Sequence, residues 1–247
     1  PKGSQYPVLM NAFGSYQRMG WALGVERLDE VADRIRELLR VEMPEGFRQK
    51  LGALNRLRQF ANLQPRRVRE APCQEVIMRD DVDLSELPVL QCWPGDGGRF
   101  ITLPLVFTKD PMSGRQNVGM YRLQVFDRRT TGMHWHVHHD GAENYRRTAA
   151  KQNRMEVAVA LGADPATIYA ATAPLPPLID ELVFAGFLRQ EAVDVVRCQT
   201  VDLEVPAHAE VVLEGYVDAG ELRREGPFGD HTGYYSLADD YPVFHVQ

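Results

Sequence analysis

The 247-residue chain is acidic, with 34 aspartate and glutamate residues, 28 lysine and arginine residues and a formal net charge of −6. This balance argues against a general binder of nucleic-acid backbones, which needs a basic surface. The hydrophobic fraction of 44% is enough for a sizeable core, but no apolar run approaches the roughly 18 residues of a membrane helix. The three cysteines have no CxxC spacing, which favours reduced thiols in a cytoplasmic protein over disulfides or structural zinc.

The N-terminal part of the chain is predicted to mix helix and strand. The apolar run YPVLMNAF (6–13) is typical of a strand, and residues 27–40 carry apolar side chains at the spacing of one helical face. The basic stretch 44–69 is expected to be a surface connection that contains a short helix. It is followed by the turn-rich segment CWPGDGG (92–98).

From residue 96 onward the pattern changes to strands. ITLPLVFTKD (101–110) and VGMYRLQVFD (118–127) are strand-like, and GMHWHVHHDG (132–141) is predicted to be the next strand of an antiparallel sheet. GAENYRRTAAKQ (141–152) is predicted to form a helix. We therefore expect an antiparallel sheet with at least one helix beside it.

The remaining elements alternate between the two classes. MEVAVALG (155–162) is predicted to be a buried strand, and Asp164 with Pro165 has the signature of a helix start. Residues 178–189 have a strong apolar side that predicts a helix, and further strands are expected in VDVVRC and AEVVLEGYVD. This order of helices and antiparallel strands predicts an α+β fold.

Two domains are expected, a small N-terminal α/β layer over residues 1–95 and a larger β-rich domain over residues 96–247. The chain starts at Pro1 and stops inside the strand-like stretch YPVFHVQ. We therefore expect it to be a fragment of a longer protein.

The four clustered histidines suggest a metal site. On a strand, His134, His136 and His138 would share one face, with His139 on the other. Side chains at these three positions span roughly 13 Å, so two of them can reach one ion but three cannot. The spacing therefore favours a hydrogen-bonded or solvated strand face over a three-histidine metal site.

Three other motifs are ambiguous when each is taken alone. Asn117 precedes Arg122 in RQNVGMYRLQ, at a loop–strand junction where an amide oxygen can reach a hard cation. Glu225 and Asp230 flank a Gly-Pro-x-Gly turn, where they could divide acid and base roles or form an acidic surface turn. Glu181, in LIDELVFAG, is a metal ligand, a member of a buried pair or, as the pattern favours, a solvated edge residue.

In combination, these motifs resemble the UbiD-type decarboxylases, named for the enzyme that decarboxylates 3-polyprenyl-4-hydroxybenzoate in ubiquinone biosynthesis. The resemblance implies a flavin-binding antiparallel domain of the split β-barrel type with flanking helices. The segments that carry it are PVLMNAFGS, APCQEVIMRDDVDLSELPVLQCWPGDGG, RQNVGMYRLQ, VALGADPATIYAATAPLP, FAGFLR, DLEVPAHAEVVLEGYVD and EGPFGDHTGYY.

What the resemblance implies first is a cofactor, prenylated FMN, held through its phosphate by a divalent ion, usually manganese with magnesium as the alternative, and often with potassium nearby. Asn117 and Glu181 match the family's metal ligands. Some relatives use a histidine ligand as well, and His138 or His139 is the candidate for that position in this chain. The residues that match the family's flavin-contacting positions are Met120, Tyr121, Arg122, His134, Trp135, His136, His139 and Asp140.

The resemblance also implies a catalytic trio, Arg122, Glu225 and Asp230. Arg122 is expected to hold the substrate carboxylate or Glu225 through a two-pronged contact. Asp230, or Glu225 through it, is expected to protonate the carbon that carbon dioxide leaves. This role requires burial or a neighbouring carboxylate to raise the pKa of the acid.

The function that follows is non-oxidative decarboxylation of an aromatic acid, with a 3-polyprenyl-4-hydroxybenzoate-like acid of ubiquinone biosynthesis as the leading substrate. The alternatives are a menaquinone-pathway acid, another phenolic or unsaturated acid, a non-catalytic flavin-binding subunit, and a histidine metalloprotein unrelated to flavin. The expected partners are the acid, a flavin prenyltransferase that supplies the cofactor, and further copies of the chain. The C-terminal oligomerisation domain of the family is expected to lie outside this fragment, and peripheral association with a membrane is a further alternative.

Overall fold

The computed structural model describes residues 4–39, 63–176 and 179–247, which belong to two compact units. The first unit comprises residues 1–8, 68–163 and 196–247, and the second comprises 9–67 and 164–195. These units are defined by packing and are a different division from the two predicted sequence domains, so the boundary near residue 95 stays a prediction. The short helix expected within 44–69 falls on residues 40–62, which lie outside the described residues.

Strands and helices follow one another in runs, as in an α+β protein. The strands are β1 (Arg66–Arg67), β2 (Arg99–Ile101), β3 (Leu105–Lys109), β4 (Gln116–Met120), β5 (Leu123–Val125), β6 (Thr130–Gly132), β7 (Arg154–Leu161), β8 (Asp194–Arg197), β9 (Glu204–Pro206), β10 (Val211–Glu225), β11 (Phe228–Gly229), β12 (Tyr235–Ser236) and β13 (Asp239–Val246). The α-helices are α1 (Tyr16–Leu23), α2 (Leu28–Leu39), α3 (Asp140–Ala149), α4 (Pro165–Ala170) and α5 (Glu181–Arg189). Two 3₁₀ turns cover Pro72–Gln74 and Leu84–Glu86.

An antiparallel sheet of eight strands is the centre of the first unit, in the order β2-β5-β6-β13-β10-β7-β3-β4. Strand β10 is 15 residues long and pairs with β7 on one side and β13 on the other. Its register against β13 shifts between Val217 and Leu222, which marks a bulge or irregularity. Beyond the shift the pairing resumes and carries the strand to its last residue, Glu225, opposite Asp239.

Buried side chains cover both faces of this sheet. Strand β7 alternates between exposed and buried positions over residues 154–157, and residues 157–160, whose side chains point to alternating faces, are all buried. Burial of each large apolar side chain contributes roughly 1.5–3 kcal/mol. Fully buried members of the core cluster include Val106, Leu123, Met133, Val157, Val217 and Phe244.

The second unit is mainly helical, and side chains define where its helices begin. Ser15 caps α1, which ends at Gly24 in the left-handed region with φ of 65°. Asp164 caps α4 by accepting from the backbone N–H groups of Ala166 and Thr167, and Asp180 caps α5 in the same way. Strands β1 and β8 pair in parallel, Arg66 opposite Asp194, and the side chains of that pair also form a salt bridge of 2.6 Å.

The α+β prediction is confirmed, as are the helices expected over 27–40 and 141–152 and the start of a helix after Asp164. Four strand predictions are wrong, one of them for the histidine segment 132–141. The strand expected over 101–110 is interrupted at residues 102–104, between β2 and β3. Residues 6–13 form turns and irregular backbone, and the strand expected over 118–127 is broken at Tyr121 and Arg122 between β4 and β5. None of the described helices is long and apolar enough to cross a membrane.

Candidate functional site

A buried ion pair between Arg122 and Glu225 is the centre of the site. Arg122 lies in the break between β4 and β5, and Glu225 is the last residue of β10. Arg122 Nε donates to Glu225 Oε1 at 2.8 Å and Nη2 donates to Oε2 at 3.1 Å. The side chain of Arg122 is 12% exposed and that of Glu225 is fully buried. The contact is the two-pronged geometry in which a guanidinium binds a carboxylate most strongly.

His134 is the third member of this cluster. Its Nδ1 lies 3.1 Å from Glu225 Oε2, and its ring packs on that of Tyr241 at 4.4 Å between centroids. Burial alone would raise the pKa of Glu225, but the hydrogen bonds from His134 and Arg122 outweigh burial and hold that pKa below its ordinary value. Glu225 is therefore ionised at neutral pH, and His134 Nδ1 carries the hydrogen that it donates.

Two more histidines extend the chain of contacts. His134 Nε2 lies 2.9 Å from His136 Nε2, and the backbone N–H of His136 donates to His139 Nδ1 at 3.1 Å. Burial lowers the pKa of both His136 and His139, and the neighbouring imidazoles lower them further. Both atoms of this contact are Nε2, so one of them donates and the other accepts, according to the tautomers of the two rings.

Aromatic rings enclose the guanidinium of Arg122. The ring centroid of Phe228 is 4.5 Å from Arg122 Cζ and that of Phe100 is 5.9 Å away, and the two rings are 4.8 Å apart. Arg122 Nη2 also donates to Ser236 Oγ at 3.1 Å. The two rings therefore pack on one side of the guanidinium, and the hydroxyl of Ser236 binds its edge. The N–H groups of Nη1 make no hydrogen bond to any residue that the structure describes.

Asp230, at the other end of the Gly-Pro-x-Gly turn, has a different environment. Its side chain is 36% exposed, and Oδ1 accepts from both the backbone N–H of His231, at 2.7 Å, and His231 Nδ1, at 2.8 Å. Burial raises the pKa of Asp230, but these two hydrogen bonds outweigh it, so the pKa lies below the ordinary value. The raised pKa expected for the proton donor is therefore found in neither Asp230 nor Glu225.

The predicted histidine strand over 132–141 is wrong. Strand β6 ends at Gly132, and the backbone then turns so that His139 stands at the N-cap position of α3. The turn, rather than alternation along a strand, brings His134, His136 and His139 into contact, and it leaves His138 exposed. Across residues 4–39, 63–176 and 179–247, no group of three or more histidine, cysteine, aspartate or glutamate side chains is placed to hold a metal ion.

The other predicted flavin contacts lie beside this turn. Met120 ends β4, and Tyr121 is buried with its ring centroid 4.8 Å from that of His139 and 6.4 Å from that of Trp135. Asp140 is exposed in the first turn of α3. The first unit thus brings the predicted arginine, tyrosine, tryptophan and three of the histidines together, and their assignment to a flavin stays a prediction.

The two predicted metal ligands belong to different units. Asn117 is in β4 of the first unit, opposite Thr108 of β3, and Glu181 is the first residue of α5 in the second unit. An amide oxygen and a carboxylate form a hard donor set that suits manganese or magnesium. The side chains therefore fit such an ion in chemistry, and their role as ligands stays a prediction.

One buried atom supports the fit to a flavin. Trp135 is 6% exposed, and its indole Nε1 is buried with no hydrogen-bond partner among the described residues. A buried donor without an acceptor is costly, and native proteins leave few of them. The ring carbonyls and the phosphate of a flavin are acceptors, so this side chain is compatible with one bound nearby.

The sequence did not point to four residues that the structure places in or beside the site: Ser236, Tyr241, Asp96 and Gln124. Ser236 and Tyr241 follow the EGPFGDHTGYY motif, and only the pairing of β11 with β12 and the packing of the His134 ring show their part in the site. Asp96 lies in the CWPGDGG segment, where its turn residues predicted a loop and nothing more. No spacing signal would have found these contacts, because they join segments distant in the chain.

Two family models match the chain. The model described as the 3-octaprenyl-4-hydroxybenzoate carboxy-lyase Rift-related domain, UbiD, matches residues 66–247, and the model of the N-terminal domain of the same carboxy-lyase matches residues 1–38. An uncharacterised protein of Archaeoglobus fulgidus is 54% identical over the whole chain, which covers 50% of that protein. The chain thus spans about half the length of the curated relatives that it matches.

Solved structures give the same result. An evolved dimeric form of the UbiD-class enzyme HmfF from Pelotomaculum thermopropionicum, in complex with prFMN, is 30% identical with a TM-score of 0.84, covering 99% of this chain and 53% of that one. The closed form of vanillic acid decarboxylase from Sedimentibacter hydroxybenzoicus is 30% identical with a TM-score of 0.83, covering 99% of this chain and 50% of that one. With its family models matching most of its length, the chain belongs to the UbiD family.

Proposed function

We propose that the protein is a carboxy-lyase that removes carbon dioxide from a hydroxylated aromatic acid without oxidation, with prenylated FMN and manganese or magnesium as cofactors and potassium nearby. The observation that carries the proposal is the fully buried Glu225 held by Arg122 and His134. A buried ion pair is a poor way to stabilise a fold, since apolar side chains of the same volume often do as well. Its presence in a site with other groups of shifted pKa favours a catalytic role.

The substrate class is supported by the names of the relatives. The family description names 3-octaprenyl-4-hydroxybenzoate, and the structural neighbour acts on vanillic acid. Both are benzoic acids that carry a hydroxyl group. A polyprenylated acid of ubiquinone biosynthesis is our first candidate, and a menaquinone-pathway acid or another phenolic or unsaturated acid is the alternative.

Arg122 is proposed to bind the substrate carboxylate. Its Nε and Nη2 are engaged by Glu225 and Ser236, which leaves the Nη1 donors directed elsewhere. Phe100 and Phe228 pack beside the guanidinium and restrict the orientation of these donors. A carboxylate bound there would place the aromatic ring of the acid near apolar side chains.

Prenylated FMN, when bound, supplies the electron sink for the carbon–carbon bond that breaks. We propose that Met120, Tyr121 and the segment from His134 to Asp140 hold it, and that Asn117 and Glu181 bind the divalent ion at its phosphate. The protein's own task is then to orient the acid, exclude water and deliver one proton.

Asp230 is proposed to donate that proton to the carbon that carbon dioxide leaves. Its pKa is below the ordinary value, but an incoming substrate carboxylate is a like charge and raises it. Its partial exposure lets it regain a proton from solvent after each turnover. Glu225 stays ionised beside Arg122 and fixes the cation, and proton donation from Glu225 through Asp230 is the alternative.

The test uses the protein at its native length, produced together with a flavin prenyltransferase. Visible absorption, the mass of the released cofactor and metal content on one sample establish what is bound. Carbon dioxide release from prenylated 4-hydroxybenzoate, vanillate and other phenolic acids then tests the activity. Glu225→Gln is the inactive variant, and Glu221→Gln, which removes a partly exposed partner of His245, is the matched control.

Each outcome has one meaning. Prenylated FMN, about one metal ion and acid-dependent carbon dioxide release support the proposal. Bound cofactor with no release from any acid indicates a non-catalytic flavin-binding subunit. Zinc or copper without flavin indicates a histidine metalloprotein. We also propose a homo-oligomer located in the cytoplasm, which mass measurement in solution and cell fractionation will check.

A further inference from the structure

We infer that Asp96 and Gln124 are positioning residues, which fix the turn between Glu225 and Asp230 so that both carboxyl groups face the reaction. The inference rests on the proposed function and extends it to the CWPGDGG segment, which that function leaves without a role. It concerns the four-residue turn Gly226–Gly229, which we call the acid turn.

Asp96 binds the far end of the acid turn. Its Oδ1 accepts from the backbone N–H of Gly229 at 2.7 Å, and its Oδ2 accepts from the backbone N–H of Trp93 at 2.9 Å. The residue is only 7% exposed, so both bonds form away from bulk water. One carboxylate therefore joins two loops that are 133 residues apart in the chain.

Gln124 binds the near end. Its Oε1 accepts from the backbone N–H of Gly226 at 2.7 Å, and its Nε2 donates to the carbonyl of Gly97 at 2.8 Å. Gly97 completes the link by donating its own N–H to the carbonyl of Pro227 at 2.7 Å. Gln124 is 7% exposed and lies in β5, so the acid turn is attached to the sheet itself.

The two loops approach so closely that a side chain would not fit between them. A Cβ atom built on Gly97 would lie 2.2 Å from the carbonyl oxygen of Gly226, and the clash would be with backbone rather than with a flexible side chain. The contact therefore requires glycine at position 97. The absence of a side chain there is what lets Gly97 reach the carbonyl of Pro227.

Position matters here because the acid turn separates two carboxyl groups with different tasks. Glu225 is fixed by Arg122 and His134, whereas among the described residues Asp230 forms hydrogen bonds with its neighbour His231 and within the adjoining turn. The distance between them depends on the shape of residues 226–229. A displacement of about 1 Å in a reacting group can cost on the order of 100-fold in rate.

The experiment compares two aspartates in the cofactor-loaded protein. Asp96→Asn keeps the size of the side chain but replaces one of two acceptor oxygens with a donor. Asp127→Asn is the matched control, because Asp127 also accepts backbone N–H groups in a turn, those of Arg129 and Thr130, away from the catalytic residues. Steady-state rates, melting temperature and amide hydrogen exchange are measured on both variants.

We expect Asp96→Asn to lower kcat by about 10-fold to 100-fold, with KM for the acid and cofactor absorbance within about twofold of wild type. Asp127→Asn is expected to lower the melting temperature with kcat within about twofold. In the double variant with Asp230→Asn, the loss from Asp96→Asn should largely vanish, because the group that it positions is already gone. Amide exchange should increase at Gly226 and Gly229 in Asp96→Asn only.

The inference would be overturned if Asp96→Asn and Asp127→Asn lowered kcat equally and in proportion to their loss of stability. It would also be overturned if the fold-loss in kcat of the double variant equalled the product of the losses of Asp96→Asn and Asp230→Asn. Should Asp96→Asn not fold, Gln124→Glu tests the same turn, since it keeps the acceptor for Gly226 and loses the donor to Gly97. A wild-type protein that binds cofactor but decarboxylates no acid overturns the proposed function instead. In that case, faster amide exchange at Gly226 and Gly229 in Asp96→Asn would still support the conclusion that Asp96 fixes the acid turn. Unchanged exchange would overturn that conclusion.

Discussion

The site contains two carboxylate–histidine pairs, Glu225 with His134 and Asp230 with His231, that differ in burial and in hydrogen-bond partners. Glu225 and His134 are 0% and 11% exposed and share a hydrogen bond of 3.1 Å, and Arg122 is the third partner. Asp230 and His231 are 36% and 89% exposed, and their bond of 2.8 Å joins neighbours in sequence. Five positions in the chain separate the two carboxylates.

The pKa of both carboxyls is lowered, but the consequences differ. Burial opposes ionisation of Glu225, and the hydrogen bonds from Arg122 and His134, which lie in different segments of the chain, overcome this effect. The charge on Glu225 therefore depends on the folded structure. The pKa of Asp230 is raised by burial and lowered mainly by the backbone N–H and ring of one exposed neighbour, His231, with a smaller contribution from the charge of Arg122. A fixed charge suits a group that orients a cation, and an adjustable one suits a group that exchanges protons with solvent.

The largest expected effect is that of removing the buried carboxylate. Glu225→Gln should lower turnover by about 10²-fold to 10⁴-fold, while the cofactor stays bound. Glu225→Ala should also lower the free energy of unfolding by about 3–5 kcal/mol, because it leaves the Arg122 guanidinium buried without its partner. Rate assays and urea unfolding measure the two effects. If Glu225→Gln kept full activity, the catalytic role that we assign to the buried pair would be wrong.

Removing the exposed carboxylate should separate activity from stability. Asp230→Asn is expected to lower turnover by roughly 100-fold. The free energy of unfolding should stay within about 0.5 kcal/mol of wild type, since the side chain is partly exposed and binds only its neighbour. The same two assays check this. A large loss of stability with normal turnover would reverse the roles that we assign to Glu225 and Asp230.

The acid sensitivity of the fold should follow the buried pair. Because the pKa of Glu225 is lower in the folded protein than its ordinary value of 4.5, the folded state binds fewer protons there than the unfolded state. The stabilisation is therefore complete above pH 4.5 and is lost as the pH falls through the folded pKa. Urea unfolding at a series of acidic pH values should show this dependence weakened in Glu225→Gln. An unaltered dependence would assign acid unfolding to other carboxylates.

The smallest expected effect is that of the exposed imidazole. His231→Ala removes one of the two hydrogen bonds that lower the pKa of Asp230, so that pKa should rise towards its ordinary value. The alkaline side of the pH–rate profile should move to higher pH, because Asp230 keeps its proton longer. Melting temperature serves as the control and should not change. A profile that does not move would exclude Asp230 as the proton donor.

The sequence predicted what is local or repeated along the chain. Helix α2 follows from its apolar spacing, and α4 follows from Asp164 and Pro165. Arg122, Glu225 and Asp230 were identified by the resemblance of their motifs to a family, and the structure shows directly that the first two are paired. The α+β fold class was predicted from the mixture of helices with antiparallel strands, which the sequence displays plainly.

Contacts between distant segments were not predictable in the same way. His134 and Glu225 are 91 positions apart, and their contact depends on β6 ending at Gly132, where the alternating histidines favoured a longer strand. The break at Arg122 was also missed, because the apolar pattern continues across it. Packing, not propensity, decides both features.

The register shift in β10 determines where this strand can accept an inserted or deleted residue. Between Asp218 and Glu221 the strand has no register partner on β13, and Gly220 there has a positive φ of 80°. An inserted or deleted residue elsewhere in β10 would reverse the faces of every following side chain and turn Glu225 away from Arg122. Insertions and deletions of one residue should therefore be tolerated at this shift and almost nowhere else in the strand. A library of single-residue insertions along β10 would map that tolerance.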